Sequence, residues 1–262
     1  MTVRRHVVKW SKKEGAVTHM AESTRRGYSP DDKRDFSDEA LRTLQRAGDE
    51  LYFLLNRGYP VKGASTFVGN HHLLSERQRV ALTRVVSARE DTAVRRSKLL
   101  DPEALAGAEV HIDGFNLIIT LEVAMSGSPV FRCMDGTFRD LAGLRGTYRL
   151  IGKTDDAIRS AISRLQSLSV SRAVFWLDAP VSNSGRLKVR IAEISEEAGF
   201  PVGIELVPNV DAVLYDLPNT VTSDSAILDR CPSWLNLNGL LIPEVPDVWV
   251  VDVMGDGMDL MD

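Results

Sequence analysis

From about residue 109 onward, short runs of β-branched and aromatic residues recur between stretches of helical period, and the runs stop on aspartates. Val110-His-Ile112 ends at Asp113, Arg172-Ala-Val-Phe-Trp-Leu177 at Asp178, and Thr220-Val-Thr222 runs into Asp224. Two further strands are expected at Ile204-Glu-Leu-Val207 and Val248-Trp-Val-Val251, with helices from Asp155 to about Leu168 and from Leu187 to Ala198, the latter stopped by Gly199. Parallel strands need a crossover between them, so this alternation predicts an α/β domain over 101–262: an open, mostly parallel sheet with helices on both faces. A hairpin turning at Asp135-Gly136, between Pro129 and Asp140, interrupts the first crossover and is positioned to lie over the sheet edge.

Residues 29–100 read differently, as a small all-α region. Ser37 is placed as an N-cap before a stripe of Leu41, Leu44, Leu51, Leu54 and Leu55 that Gly58 ends. A short helix follows from Pro60 to about Val68, and Ser75 with Gln78 forms a capping box for a third whose core residues are Val80, Ala81, Val85 and Val86. The turn Gly69-Asn-His-His-Leu-Leu74 is longer than that of a helix-turn-helix, so a helical bundle with a solvated basic face competes with a DNA-reading role. His71 and His72 read as turn residues rather than ligands. Met1 to about Tyr28 is polar and aperiodic and reads as a mobile basic arm.

Charge divides the chain in the same place. Residues 1–100 carry 20 Lys and Arg against 12 Asp and Glu, whereas residues 101–262 carry 12 against 24. The basic half, with Arg77, Arg79, Arg84, Arg89, Arg95, Arg96 and Lys98, suits a polyanion, because each neutralised phosphate releases counterions. The acidic half repels one unless its carboxylates gather around cations.

Several classes fall away. Cys133 and Cys231 have neither CxxC nor Cys/His spacing, which argues against a disulfide framework or zinc site and for a reducing, cytoplasmic setting. No secretory leader pattern is present, and no run nears the ~18 apolar residues that span a bilayer, so no membrane association is expected. GxxxxGK[ST], GxGxxG and GxSxG are all missing from the sequence. His111 sits inside a strand, and Asp140 and Asp229 are at most outer-shell acids.

Ligands of open parallel sheets bind beyond the carboxyl ends of the strands, where Asp113, Asp178 and Asp224 are placed. Asp211, after Pro208-Asn-Val at the start of a short helix, makes a fourth. Carboxylates drawn to one edge repel each other unless a hard cation such as Mg²⁺ relieves them, although any single strand-end aspartate serves equally as a helix N-cap. Asp113-Gly-Phe-Asn116-Leu-Ile, Phe-Trp-Leu-Asp178-Ala and Val-Thr-Ser-Asp224-Ser-Ala-Ile-Leu, in that order, resemble the motifs of the NYN branch of PIN-like nucleases, over roughly residues 108–253. The whole chain also resembles an uncharacterised prokaryotic family that joins a helical region to a NYN-like domain.

The resemblance implies a PIN-like fold and a Mg²⁺ or Mn²⁺ site in Asp113, Asp178, Asp211 and Asp224, with Asn116 beside it, for endonucleolytic hydrolysis of RNA. Asp211 departs from the pattern, lying only 13 residues before Asp224 with Pro218 between. Ser182, Asn183, Ser184 and Arg186, which lead into the helix at Leu187, suit a phosphate pocket; the same residues serve equally as an ordinary N-cap. The expected function is therefore a metal-dependent ribonuclease, with a non-catalytic nucleic-acid-binding or adaptor protein on the same scaffold as the rival. Oligomeric state is open.

Overall fold

A computed structural model of the protein describes residues 24–143 and 146–255. Most of the expected basic arm lies outside the described residues. Its last stretch, 24–28, is docked: Arg25 donates to the carbonyls of Ser126 and Gly127, and Arg26 reaches Glu122 at 2.8 Å.

Five helices open the described chain, α1 (Asp32–Asp35), α2 (Asp38–Leu55), α3 (Val61–His71), α4 (Glu76–Val85) and α5 (Arg89–Ser97). Ser37 caps α2 through Ala40 N–H, and the stripe Leu44, Ala47, Leu51 is buried. The capping box of Ser75 and Gln78 starts α4. α3 runs three residues beyond the expected Val68, so the connection to α4 is short. The basic residues here are tied to protein groups: Arg77 pairs with Asp32, Arg79 donates to the carbonyls of Gly69 and Leu74, Arg84 to Asp140 O, Arg96 to Met134 O and Lys98 to Leu228 O. α4 is consequently packed inward, not presented as a recognition helix.

The α/β part runs β1 (Glu109–Asp113), α6 (Gly114–Met125), β2 (Val130–Arg132), β3 (Phe138–Arg139), α7 (Thr154–Ser167), β4 (Arg172–Asp178), α8 (Ser184–Glu197), β5 (Val202–Val207), α9 (Val210–Leu214), β6 (Thr220–Val221), α10 (Ser225–Leu228), β7 (Trp234–Leu235), α11 (Leu237–Leu241) and β8 (Val250–Asp252). Five strands form an all-parallel sheet in the order β5-β4-β1-β6-β7, with Ile112 of β1 opposite Phe175 of β4 and Val221 of β6. Its inner residues Val110, Ile112, Ala173, Phe175 and Leu177 form one core with α6, α7 and α8. A smaller core, Val210, Leu214, Ile227, Leu228 and Trp234, joins α9 and α10 to the sheet. Helices thus cover both sides, as expected.

One expectation is corrected. The strand at Val248–Val251 does not join the parallel sheet. As β8 it pairs with β2, which also pairs antiparallel with β3 in the expected hairpin, and the main sheet's fifth strand is β7. The small sheet also packs on the helical half: Phe131, Cys133, Val251 and Val253 share a cluster with Leu44, Leu51, Leu82 and Val85. Two strands of the second half, β2 and β8, therefore help close the core of the helical half. No helix among the described residues is long and apolar enough to cross a membrane.

α6 has no polar face: ten of its twelve residues are buried, so it is the central helix of the molecule. That uniform hydrophobicity removes the helical period by which it could have been recognised. Gly114 lets it start directly against β4, since a Cβ there would lie 2.6 Å from a Leu177 methyl and 3.1 Å from Trp176 O.

Candidate functional site

β1 is the centre of the sheet; β4 and β5 extend it to one side, β6 and β7 to the other. The chain changes direction between β1 and β6, which opens a crevice beyond their carboxyl ends. Asp113 is the last residue of β1, and Asp224 follows β6 by three positions. Asp178 ends β4, and Asp211 lies in the first turn of α9, just past β5.

Three of the four aspartates have a local structural duty. Asp113 caps α6 by accepting Asn116 N–H at 3.4 Å, and its other oxygen accepts the Thr222 hydroxyl at 2.9 Å. Asp224 caps α10 through Ala226 N–H at 2.8 Å. Asp178 accepts Val210 N–H at 3.1 Å, which fixes the start of α9 against β4. The N-cap role noted from sequence is real for Asp113 and Asp224, and it coexists with their convergence.

Asp113 and Asp211 respond to their acidic neighbours. Asp113 is buried, and burial, together with the charges of Asp224 and Asp211, pushes it up to about 7 against the pull of Thr222. Asp211 is raised by burial and then by Asp224 and Asp178. None of the four forms an ion pair among the described residues. They are neighbours without being a closed cage, since among the described residues no three of them bring oxygens within 4.8 Å of one another.

Asn116 is brought to the same place, but its carbonyl oxygen is occupied: it accepts both the backbone N–H and the hydroxyl of Ser223 at 2.9 Å. It braces the segment that carries Asp224. Behind Ser223, the buried Arg139 donates Nε to its carbonyl at 2.6 Å and an Nη to Asp135 at 2.5 Å. Arg139 and Asp140 come from the hairpin segment and stand beside Asp224. With Thr83, Arg84, Asn116, Ser223, Asp224 and Ser225 they line a cavity of about 190 Å³. Larger clefts, about 720 and 630 Å³, lie elsewhere and are lined by none of the four aspartates.

The loop after β4 lies on the same edge but is organised for itself. Ser182 N–H donates to Gly146 O at 3.0 Å, Ser184 N–H to Val181 O at 3.2 Å, and the Asn183 amide to Tyr148 O at 2.6 Å. Asn183 sits at φ +65°. Of the expected phosphate set, Ser184 is buried, Asn183 is half-buried, and Ser182 and Arg186 are exposed.

Sequence reasoning missed Thr222, Ser223 and Arg139, which hold Asp113 and Asn116 in register. The run Thr220-Val-Thr-Ser-Asp224 was the available signal, since hydroxyls at a strand end are suited to orient carboxylates. It also missed Glu122, buried on α6 with Arg26 at 2.8 Å and the Tyr148 hydroxyl at 2.7 Å.

Residues 102–240 match the family described as Domain of unknown function (DUF5616), and residues 43–98 match Protein of unknown function (DUF434). The chain is similar to Uncharacterized protein MJ0935 of Methanocaldococcus jannaschii, with 31% identity over 186 residues that cover 71% of this chain and 89% of that protein. No solved structure matches it.

Proposed function

The chain belongs to the family of the domain of unknown function DUF5616, delineated by sequence alone, and on its site chemistry we propose that it hydrolyses phosphodiester bonds of RNA with Mg²⁺ or Mn²⁺ at Asp113, Asp178, Asp211 and Asp224. The observation that carries this reading is a group of carboxylates at a topological switch point, two of them raised by burial and by their acidic neighbours, that form no ion pair among the described residues. Their donors are all oxygen, which suits a hard ion. Mg²⁺ keeps several waters and takes one or two carboxylates directly, so acids gathered more loosely than a closed cage fit it.

When bound, such an ion lowers the pKa of a coordinated water and offsets charge on the phosphate oxygens. The rest is work for side chains of this chain. Thr222 orients the Asp113 carboxyl, and Asn116 with Ser223 holds the segment bearing Asp224. Arg186, exposed on the neighbouring loop, is suited to receive the phosphates of a strand. Two free, buried cysteines, with burial pushing the Cys133 thiol up to about 11, accord with a reducing cytoplasmic setting.

The experiment is a cleavage assay on structured and single-stranded RNA in Mn²⁺, parent against Asp113→Asn. Loss of at least about a hundredfold in rate is expected, about 2.7 kcal/mol of barrier. Equal rates would remove the assignment.

The rival, a nucleic-acid-binding or adaptor scaffold without turnover, draws support from the occupied amides of the 181–184 loop and from the spacing of the carboxylates. Calorimetric titration with Mn²⁺ separates the two: a saturable site lost in Asp113→Asn belongs to the nuclease, and no site at all to the scaffold.

A further inference from the structure

Away from the strand edge, at the junction of α2 and α3, a second group of donors meets. We propose that Glu50, His71 and His72 form a site for a borderline transition-metal ion, Zn²⁺ being the chemical type, which clips the end of α3 to α2.

One nitrogen of each histidine and one oxygen of Glu50 all lie within 4.8 Å of one another. His72 Nε2 is 2.9 Å from Glu50 Oε2, and the two imidazoles stand edge to face with centroids 4.8 Å apart. Consecutive residues of a continuing helix point about 100° apart. These two converge because the helix stops between them: His71 is the last residue of α3, His72 is its C-cap, and Leu73 turns the chain at φ +52°.

The segment is held in place from behind. Arg79 of α4 donates to Gly69 O at 2.7 Å, Leu74 O at 2.9 Å and Asn70 Oδ1 at 3.0 Å. Its guanidinium occupies the space a Cβ on residue 69 would need, 2.5 Å away. Fixed backbone on both sides of the histidines means that little order remains to be imposed by a ligand. The C-terminal carbonyls of α3 add partial negative charge, and Asp49 lies beside Glu50 on the neighbouring groove.

The donor set selects the ion. Two imidazoles and one carboxylate leave a fourth position for water and match Zn²⁺, whereas Mg²⁺ is served by oxygen. Tetrahedral donors at ~2.1 Å from Zn²⁺ stand roughly 3.4 Å apart, so the observed spread closes by small rotations of the exposed Glu50 and His71 side chains. A plain His72–Glu50 ion pair leaves His71 without a task, and among the described residues His71 has no hydrogen-bond partner.

The test uses the full chain, stripped with EDTA and titrated with Co²⁺ while its visible absorption is read, followed by displacement with Zn²⁺. With the aspartate site held by excess Mg²⁺, one saturating equivalent is expected, weakened about tenfold or more in His71→Ala and His72→Ala, and weakened in Glu50→Gln. Zn²⁺ should also raise the melting temperature of the parent and not of His71→Ala. His71 is exposed, so that variant stays folded even if His72→Ala does not, which circular dichroism checks. No saturable Co²⁺ spectrum in the parent, or one unchanged by His71→Ala, overturns the proposal.

Discussion

Asp135 and Asp113 are both buried acids, at 2% and 7% exposure, and they differ in company. Asp135 is gripped by Arg139 at 2.5 Å, Arg95 at 2.9 Å and the Thr137 hydroxyl at 2.6 Å. Burial pushes its carboxyl up, but these partners outweigh burial and hold it below its ordinary value. Asp113 has one hydroxyl, one backbone amide and two acidic neighbours, and it stands near 7. The lesson is that burial does not mark a functional acid. Where an acid only joins the hairpin to α5 and α10, the fold supplies guanidinium groups; at the strand edge it leaves the field unbalanced for something that is not protein.

The largest expected effect tests the paired member. Asp135→Asn leaves Arg95 and Arg139 buried without their shared counter-charge, and urea denaturation should show a loss of about 3–5 kcal/mol. Asp113→Asn should act in the opposite direction, gaining roughly 1–3 kcal/mol at pH 8 in EDTA, because it removes a charge that burial and two acidic neighbours disfavour more than its hydrogen bonds favour it. If both substitutions cost similar stability, the contrast between scaffold acid and site acid is broken.

The second effect is its dependence on pH. A carboxyl raised in the folded state contributes stability that is complete below its unfolded value near 4 and is lost as pH climbs toward 7. The advantage of Asp113→Asn over the parent, full at pH 8, should therefore shrink progressively between pH 7 and pH 4. Asp135, lowered in the fold, works in reverse: its contribution is present above pH 4 and fades only as pH falls through its folded value. Melting curves of parent and variant across this range, in EDTA and in saturating Mn²⁺, sharpen the comparison further. Mn²⁺ should stabilise the parent alone.

What was legible in the sequence follows the same division. β1, β4 and the Asp113, Asp178 and Asp224 positions could be read because strand ends and caps are local: an apolar run followed by a cap former announces itself. Ser37 and the Ser75 capping box were read for that reason too. α6 could not be read, because a helix buried on all sides has no period, and β7 is only two residues long. β8 was read as a strand but assigned to the wrong sheet, since pairing partners are set by long-range packing. The partners of the arginines were not legible. Arg77, Arg84, Arg95 and Arg96 form a basic sequence cluster, yet each is bound to a carboxylate or carbonyl from a distant part of the chain, and nothing in their spacing says so. Thr222 and Ser223 were visible as residues, but their roles depend on β6 lying beside β1.

The smallest effect isolates what little does oppose the charge on Asp113. The buried Thr222 hydroxyl donates to it at 2.9 Å while accepting Asp224 N–H at 3.0 Å, so it ties the two acids to one strand end. Thr222→Val keeps the shape and removes the donor. The hydrogen bond favours the charged carboxylate, so its loss should move the Asp113 titration upward from about 7 by less than one pH unit, equivalent to about 1 kcal/mol. A carbon-13 NMR titration of the carboxyl reads this directly. An unchanged midpoint would mean that Thr222 serves the Asp224 backbone alone, and Asp113 would then be still less compensated than the contrast with Asp135 already requires.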